Sequence, residues 1–274
     1  MELLTQEQIT TVLAGQVNDN IERLEEVTSQ IEQVDIPVKD YFMNGMYARE
    51  IFIPKGTLLT GRVYKNAYLD IMLDGDITVA TPTGTKRVKG YQVMDGQPGR
   101  KRAGYAHEDT RWITVHRTDC ESPDDVLEQL SFFSMEQYRD YQRGVDKDDY
   151  RALLRSLGTT ESEVQQQVTS DDMIQLPEEF EPLVYVGDSA MGGNGLFSNH
   201  NFNAGDHVIP ARISGYRTVG GRYSNHSTAP NAKMILLDND DVALVAIKPI
   251  MIGEEITTNY RDTLQTVWGQ PCQE

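Results

Sequence analysis

Residues 220–231 read Gly-Gly-Arg-Tyr-Ser-Asn-His-Ser-Thr-Ala-Pro-Asn, and no other run constrains the chain as much. Two glycines, an Asn-His-Ser triplet and a closing Pro-Asn favour a compact connection over a continuing helix or strand. Alternating apolar residues at 232–237 and 242–247 predict two strands just downstream. Upstream, residues 183–186 predict a strand running into Met191-Gly192-Gly193-Asn194-Gly195-Leu196-Phe197. Asn203-Ala204-Gly205-Asp206 turns into another strand, and Gly253-Glu254-Glu255-Ile256-Thr257-Thr258-Asn259-Tyr260 closes the series. Taken singly, each piece is ordinary: an Asx turn, a tight glycine turn, an aromatic at a strand end.

Their order is not. GNGLF, GDHV, RYSNHSTAPN, two strands and GEEITTNY follow one another over residues 183–262. The sequence resembles a SET domain, the fold of protein lysine methyltransferases. The resemblance implies that Gly193, Asn194 and Gly195 approach S-adenosylmethionine through their backbone. It implies that Asn225 and His226 hydrogen-bond the cofactor from a C-terminal pseudoknot, and that Tyr260 borders the pore through which a substrate lysine reaches the methyl group. Tyr223 and Trp268 are assigned on the same basis to the substrate or to a lid. This chain departs from the family pattern at Thr228, where the family has cysteine, and at Asn259, where aspartate is common. About thirty residues separate Gly195 from Asn225, so the insert that builds much of the family's peptide groove is absent or minimal.

The first 182 residues are read separately. Ile9, Leu13, Val17, Ile21, Leu24, Val27 and Ile31 lie three or four apart, predicting an amphipathic helix within residues 1–35 that packs on the chain or on a second copy. From 41 to 120 short β-rich runs alternate with turns. Asp74-Gly75-Asp76 and Pro82-Thr83-Gly84 are hairpin signals, and a sandwich or small barrel is expected. Pro54-Lys55-Gly56, Gly75-Asp76 and Pro98-Gly99 resemble the punctuation of a cupin. Arg62, Tyr64, Lys65 and Arg100 to Arg102 occupy places where a metal-binding cupin has its ligands, so no metal is expected. His116 alternates with Trp112 and Thr114 as a structural residue, and His107 belongs to a turn. No polar constellation for a small ligand is apparent in this region.

Residues 121–182 form an acidic connector and linker. They carry 16 acidic and 5 basic residues, against 8 and 12 in residues 41–120. Helices are expected at 123–143, 148–157 and 160–168, their acids forming solvated faces or attracting a basic partner. The formal charge of −17 argues against nucleic-acid binding. The two cysteines exclude a disulfide framework. The sequence has no membrane-length apolar run, and its first residues lack a secretory pattern, so a cytosolic compartment is expected, a host cell's included.

The fold class expected is therefore mainly β with helices (α+β): an N-terminal helix (1–35), a cupin-like β domain (41–120), an acidic helical connector (121–182) and a compact SET-like domain (183–274). The function expected is S-adenosylmethionine-dependent methylation of a protein lysine, the substrate Lys-rich and the chain a homo-oligomer. The alternative is a non-catalytic assembly protein with a SET-like binding module.

Overall fold

The computed structural model describes residues 17–30, 32–81, 84–168 and 173–269. By its contacts the chain forms two compact units, residues 1–140 and 141–274.

In the first unit, helix α1 (Val17–Thr28) buries Ile21 and Leu24 against Ala80 and Ala103. The predicted stripe therefore packs on the chain here, although Val27 is exposed. Ile9, Leu13 and Ile31 of that stripe lie outside the described residues. The strands are β1 (Val38–Met43), β2 (Met46–Ile53), β3 (Leu58–Thr60), β4 (Val63–Tyr64), β5 (Tyr68–Asp74), β6 (Asp76–Thr81), β7 (Gly84–Lys89), β8 (Gln92–Gly96), β9 (Ala103–Ala106) and β10 (Thr110–Arg117). They form two antiparallel sheets, ordered β1-β2-β10-β5-β8 and β3-β9-β6-β7. Ile53, Met72 and Trp112 of the first meet Ile77, Val88 and Ala106 of the second, which makes a β-sandwich.

One expected hairpin proves to be a corner. β5 and β6 do not pair with each other; they belong to different sheets, and Gly75, at φ 112°, turns the chain between them. A side chain there would overlap Thr110. β6 and β7 do pair, up to Thr81 opposite Gly84, across residues 82 and 83, which lie outside the described residues.

The unit also holds a polar constellation that the sequence reading missed. Trp112 Nε1 donates to Asp70 (2.9 Å), Arg102 pairs with Asp70, and the Tyr64, Tyr68 and His116 rings crowd within 4.3 to 4.9 Å of one another. His116 Nε2 and the Tyr68 hydroxyl are buried without a hydrogen-bond partner among the described residues. Burial pushes His116 down to about 4.

Helix α2 (Pro123–Leu130) opens on an Ser122 cap, as expected, but ends early. Strand β11 (Ser131–Phe132) then pairs with β4, and helix α3 (Met135–Ser156) runs unbroken through Gly144 where two helices were expected. The boundary between units falls inside α3. The second half of the acidic stretch thus belongs to the second unit, together with α4 (Glu161–Val168).

That unit continues with β12 (Val184–Asp188) and β13 (Asn194–Ser198), an antiparallel pair, then β14 (His207–Ile213), β15 (Tyr216–Arg217), helix α5 (Val219–Tyr223) and β16 (Asn225–His226). β17 (Ala232–Leu236) and β18 (Val242–Ala246) match the two alternating runs. β19 (Thr257–Thr258) and α6 (Tyr260–Trp268) end the described chain. One sheet is ordered β15-β14-β18-β17; its Val208, Ile209, Leu244 and Ala232 bury with Leu196, Ile250 and Ile256.

Candidate active site

Gly220 and Gly221 lie in α5, which Thr218 caps by accepting the Gly220 N–H at 3.0 Å. A side chain on Gly221 would overlap the Ala211 carbonyl oxygen, and one on Gly220 would press on Pro210 and Ile209. The two glycines let α5 lie directly on β14, which delivers Tyr223, Ser224, Asn225 and His226 to one place.

There β16 pairs in parallel with β19, and the Ser227 N–H donates to the Thr258 carbonyl (2.9 Å). Asn231 fastens the crossing from the other end. Its Nδ2 donates to the Glu255 carbonyl and its Oδ1 accepts from the Thr257 N–H, both at 2.8 Å. The chain segment at 225–231 is thus laced to 255–258, the pseudoknot that the family resemblance implies.

The glycine turn is tied to the same segment. Asn225 Nδ2 donates to the Asn194 carbonyl (3.2 Å) and to Glu255 Oε1 (2.7 Å), while the Ser189 hydroxyl donates to the same carboxylate. Gly193 takes φ 68°, and a side chain placed there would meet nothing within 4 Å. Gly195, by contrast, leaves room for Glu255.

His226 is 4% exposed, and both ring nitrogens are occupied. Nδ1 accepts the Tyr260 N–H (3.2 Å), so Nε2 carries the proton and donates it to Asp149 (3.0 Å). Burial lowers its pKa against the pull of Asp149 and Asp146, so the ring is neutral at pH 7. The ring therefore has no donor or acceptor left over for a ligand, so the side-chain hydrogen bond to a cofactor that the resemblance implies for His226 is not available.

Tyr260 opens α6, which Asn259 caps by accepting the Arg261 N–H. The Tyr260 hydroxyl donates to the Ser224 carbonyl at 3.1 Å. Burial raises its pKa further above the ordinary phenol value, so it stays protonated.

Sequence reasoning missed what holds this assembly from α3. Asp146, 4% exposed, accepts from the Thr228 N–H and hydroxyl (2.7 Å each), the Ser227 hydroxyl (3.1 Å) and Gln142. Thr228, where the family has cysteine, is therefore a hydrogen-bonding partner in its own right. Burial would raise the Asp149 carboxyl, but Arg261, reaching it at 3.0 Å, and His226 together hold it below the usual carboxylate range. Composition alone suggests solvated faces or attraction of a basic partner; the i, i+3 spacing of Asp146 and Asp149, with apolar Leu153 one turn on, is the signal that they share the packed face.

The parts line one cavity of about 1170 Å³, reached by Gly193, Asn194, Tyr223, Asn225, His226 and Tyr260, with Tyr150 and Leu154 of α3 on its wall. Of the residues expected here, only Trp268 has its side chain outside the described residues; its backbone ends α6.

The SET domain family description matches residues 44–261, and the chain belongs to the SET domain family, a family of methyltransferase type. No curated relative matches the chain. Solved structures similar to it include a conserved protein of unknown function from Streptococcus pyogenes (18% identity, 33% of this chain and 80% of that one, TM-score 0.27). Others are a cupin-2 domain containing protein from Shewanella frigidimarina (11%, 35% and 92%, TM-score 0.26) and a cupin superfamily protein from Desulfitobacterium hafniense (10%, 33% and 86%, TM-score 0.28).

Proposed function

We propose that the second unit binds S-adenosylmethionine and methylates the side-chain amine of a lysine in a protein substrate. One observation carries this reading: a single cavity gathers the Gly193 turn, the Asn225–His226 floor and the Tyr260–Ser224 pair. The residues fit the cofactor. Gly193 offers backbone that a ligand can approach without meeting a side chain, and the volume is at or above the upper end of ordinary small-ligand pockets, about 300 to 1,000 Å³. That is room for a nucleoside cofactor and an amine side chain together.

When bound, S-adenosylmethionine supplies an electrophilic methyl group on a sulfonium. What the protein must add is alignment of a neutral amine. The protonated Tyr260 hydroxyl donates to the Ser224 carbonyl, which leaves lone pairs on both oxygens to accept amine N–H groups. An amine held by two N–H bonds has its own lone pair directed away from them. Asn225 and Glu255 fix the glycine turn, and Asp149 fixes His226, so neither wall needs to reorganise when the ligands enter. The open cavity fits this enzymatic reading; the structural alternative would have the pore blocked, or covered by a neighbouring subunit.

Isothermal titration of S-adenosylmethionine into the full chain tests it. Micromolar binding is expected, and Asn225→Ala, which releases the Asn194 carbonyl and Glu255, is expected to weaken it at least tenfold. Absence of binding to the wild type would end the reading.

A further inference from the structure

The inner face of the five-stranded sheet changes character along its strands. Trp112 stands opposite Ile51 and Met72, and that row belongs to the apolar core. Two residues on, Thr114 stands opposite Arg49 and Asp70, and two further on His116 stands opposite Tyr47. One sandwich thus has an apolar body and a polar end. At that end Tyr68 is 7% and His116 4% exposed, their rings stack at 4.9 Å, and neither the Tyr68 hydroxyl nor His116 Nε2 has a hydrogen-bond partner among the described residues. Two buried polar atoms left unbonded on neighbouring rings call for a partner from outside the chain. The charges around them are unbalanced as well. Arg49 pairs with Asp40 at 3.4 Å and Arg102 with Asp70. Arg62 donates to the Ser131 hydroxyl and the Leu127 carbonyl, and Arg100 to the Ala80 carbonyl, but neither has a carboxylate at ion-pair distance among the described residues. All four guanidinium groups lie near enough to Tyr64 or Tyr68 to pull the phenol pKa down against the rise that burial causes. The side chains of Arg49 and Arg102 stay partly exposed, so the cluster reaches solvent.

We propose that this polar end of the sandwich binds a small organic carboxylate. The Tyr68 hydroxyl donates one hydrogen bond to the carboxylate, and His116 donates another from Nε2 in the tautomer that carries its proton there. Four arginines against two aspartates supply the excess positive charge that an anion needs, and their planar guanidinium groups suit a carboxylate. Among the described residues no three His, Cys, Asp or Glu side chains converge to hold a metal ion, so arginine carries the charge here. The site lies wholly in the first unit and stands or falls apart from the methyltransferase reading.

Isothermal titration of oxalate, malonate and succinate into the full chain at constant ionic strength tests it, with inorganic phosphate and the neutral diamide succinamide as comparisons. At least one dicarboxylate is expected to bind with a Kd of about 1 mM or tighter, and succinamide is expected not to bind. Tyr68→Phe keeps the ring and removes an unpartnered hydroxyl. It is expected to lose about tenfold in dicarboxylate affinity while its stability to urea stays equal or rises, a separation that a purely structural hydroxyl would not give. Arg100→Gln removes a charge without breaking an ion pair and is expected to lose about threefold. Binding of none of the three dicarboxylates overturns the proposal, and so does a Tyr68→Phe variant that binds them as the wild type does. Succinamide binding as tightly as succinate would show that charge is not recognised, and phosphate binding more tightly than every dicarboxylate would show a different class of anion; each overturns it too.

Discussion

Each unit buries one histidine to the same extent, and the two are treated in opposite ways. His116, in the sandwich, is 4% exposed among Tyr47, Tyr64 and Tyr68, with Nε2 unpartnered among the described residues. His226, equally buried, has both nitrogens bonded, one to backbone and one to a carboxylate that is itself held by arginine. Burial lowers the pKa of both. His116 has rings and charged side chains about it but no hydrogen bond through Nε2 to fix its ring or to share a proton. A histidine wired at both ends fixes the geometry of everything it touches, which is what a site for alignment chemistry requires.

The strongest way to break that contrast is Asp146→Ala. It leaves the Thr228 N–H and the Ser227 and Thr228 hydroxyls without their buried acceptor, and a loss of about 3 kcal/mol in urea denaturation is expected, together with S-adenosylmethionine binding. A variant that keeps both would show that α3 merely rests against the motif.

His116 sharpens the contrast through pH. Its folded pKa, about 4, lies below the unfolded value of about 6.5, so the unfolded chain takes up the proton first as pH falls. The stability that neutral His116 contributes is complete above 6.5 and is lost as pH falls towards 4, amounting to roughly 2 kcal/mol by pH 5. In His116→Phe that part of the acid loss should disappear, as measured by urea denaturation at pH 7 and pH 5. An unchanged difference between the two pH values would count against it.

The smallest effect expected is that of Asn259→Asp. Either side chain can accept the Arg261 N–H as a helix cap, so stability should stay within about 0.5 kcal/mol of wild type. A larger change would mean that the amide itself is required.

The motif pieces were legible because each is local. Gly193 needs a positive φ, Asn225 and Asn231 sit in one short run, and the 232–237 and 242–247 alternations read directly as β17 and β18. What stayed hidden depended on distant partners. Gly75 carries a hairpin signal in its neighbours, but the next strand crosses to a second sheet, with Gly75 packed closely against the distant Thr110. Separate helices are expected at 123–143 and 148–157, yet α3 runs through Gly144 without a break. Asp146 and Asp149 look like solvated acids because nothing nearby in sequence shows that Thr228 and Arg261 will enclose them. The alternation of His116 with Trp112 and Thr114 suggests a structural residue, and the structure buries it, while the polar groups gathered around it come from strands far apart in the chain.

The anchoring by α3 also bears on how the protein is made. Asp146 meets Thr228 across 82 positions, and Asp149 meets Arg261 across 112. At bacterial or eukaryotic elongation rates, about 5 to 20 residues per second, the helix leaves the ribosome several seconds before the partners it will enclose. An apolar anchor in its place would spend that interval as a sticky surface. Carboxylates wait in water at no cost and become interior only when the last strand and helix arrive, so the acids that fasten the finished site add no apolar surface to the chain while it is incomplete.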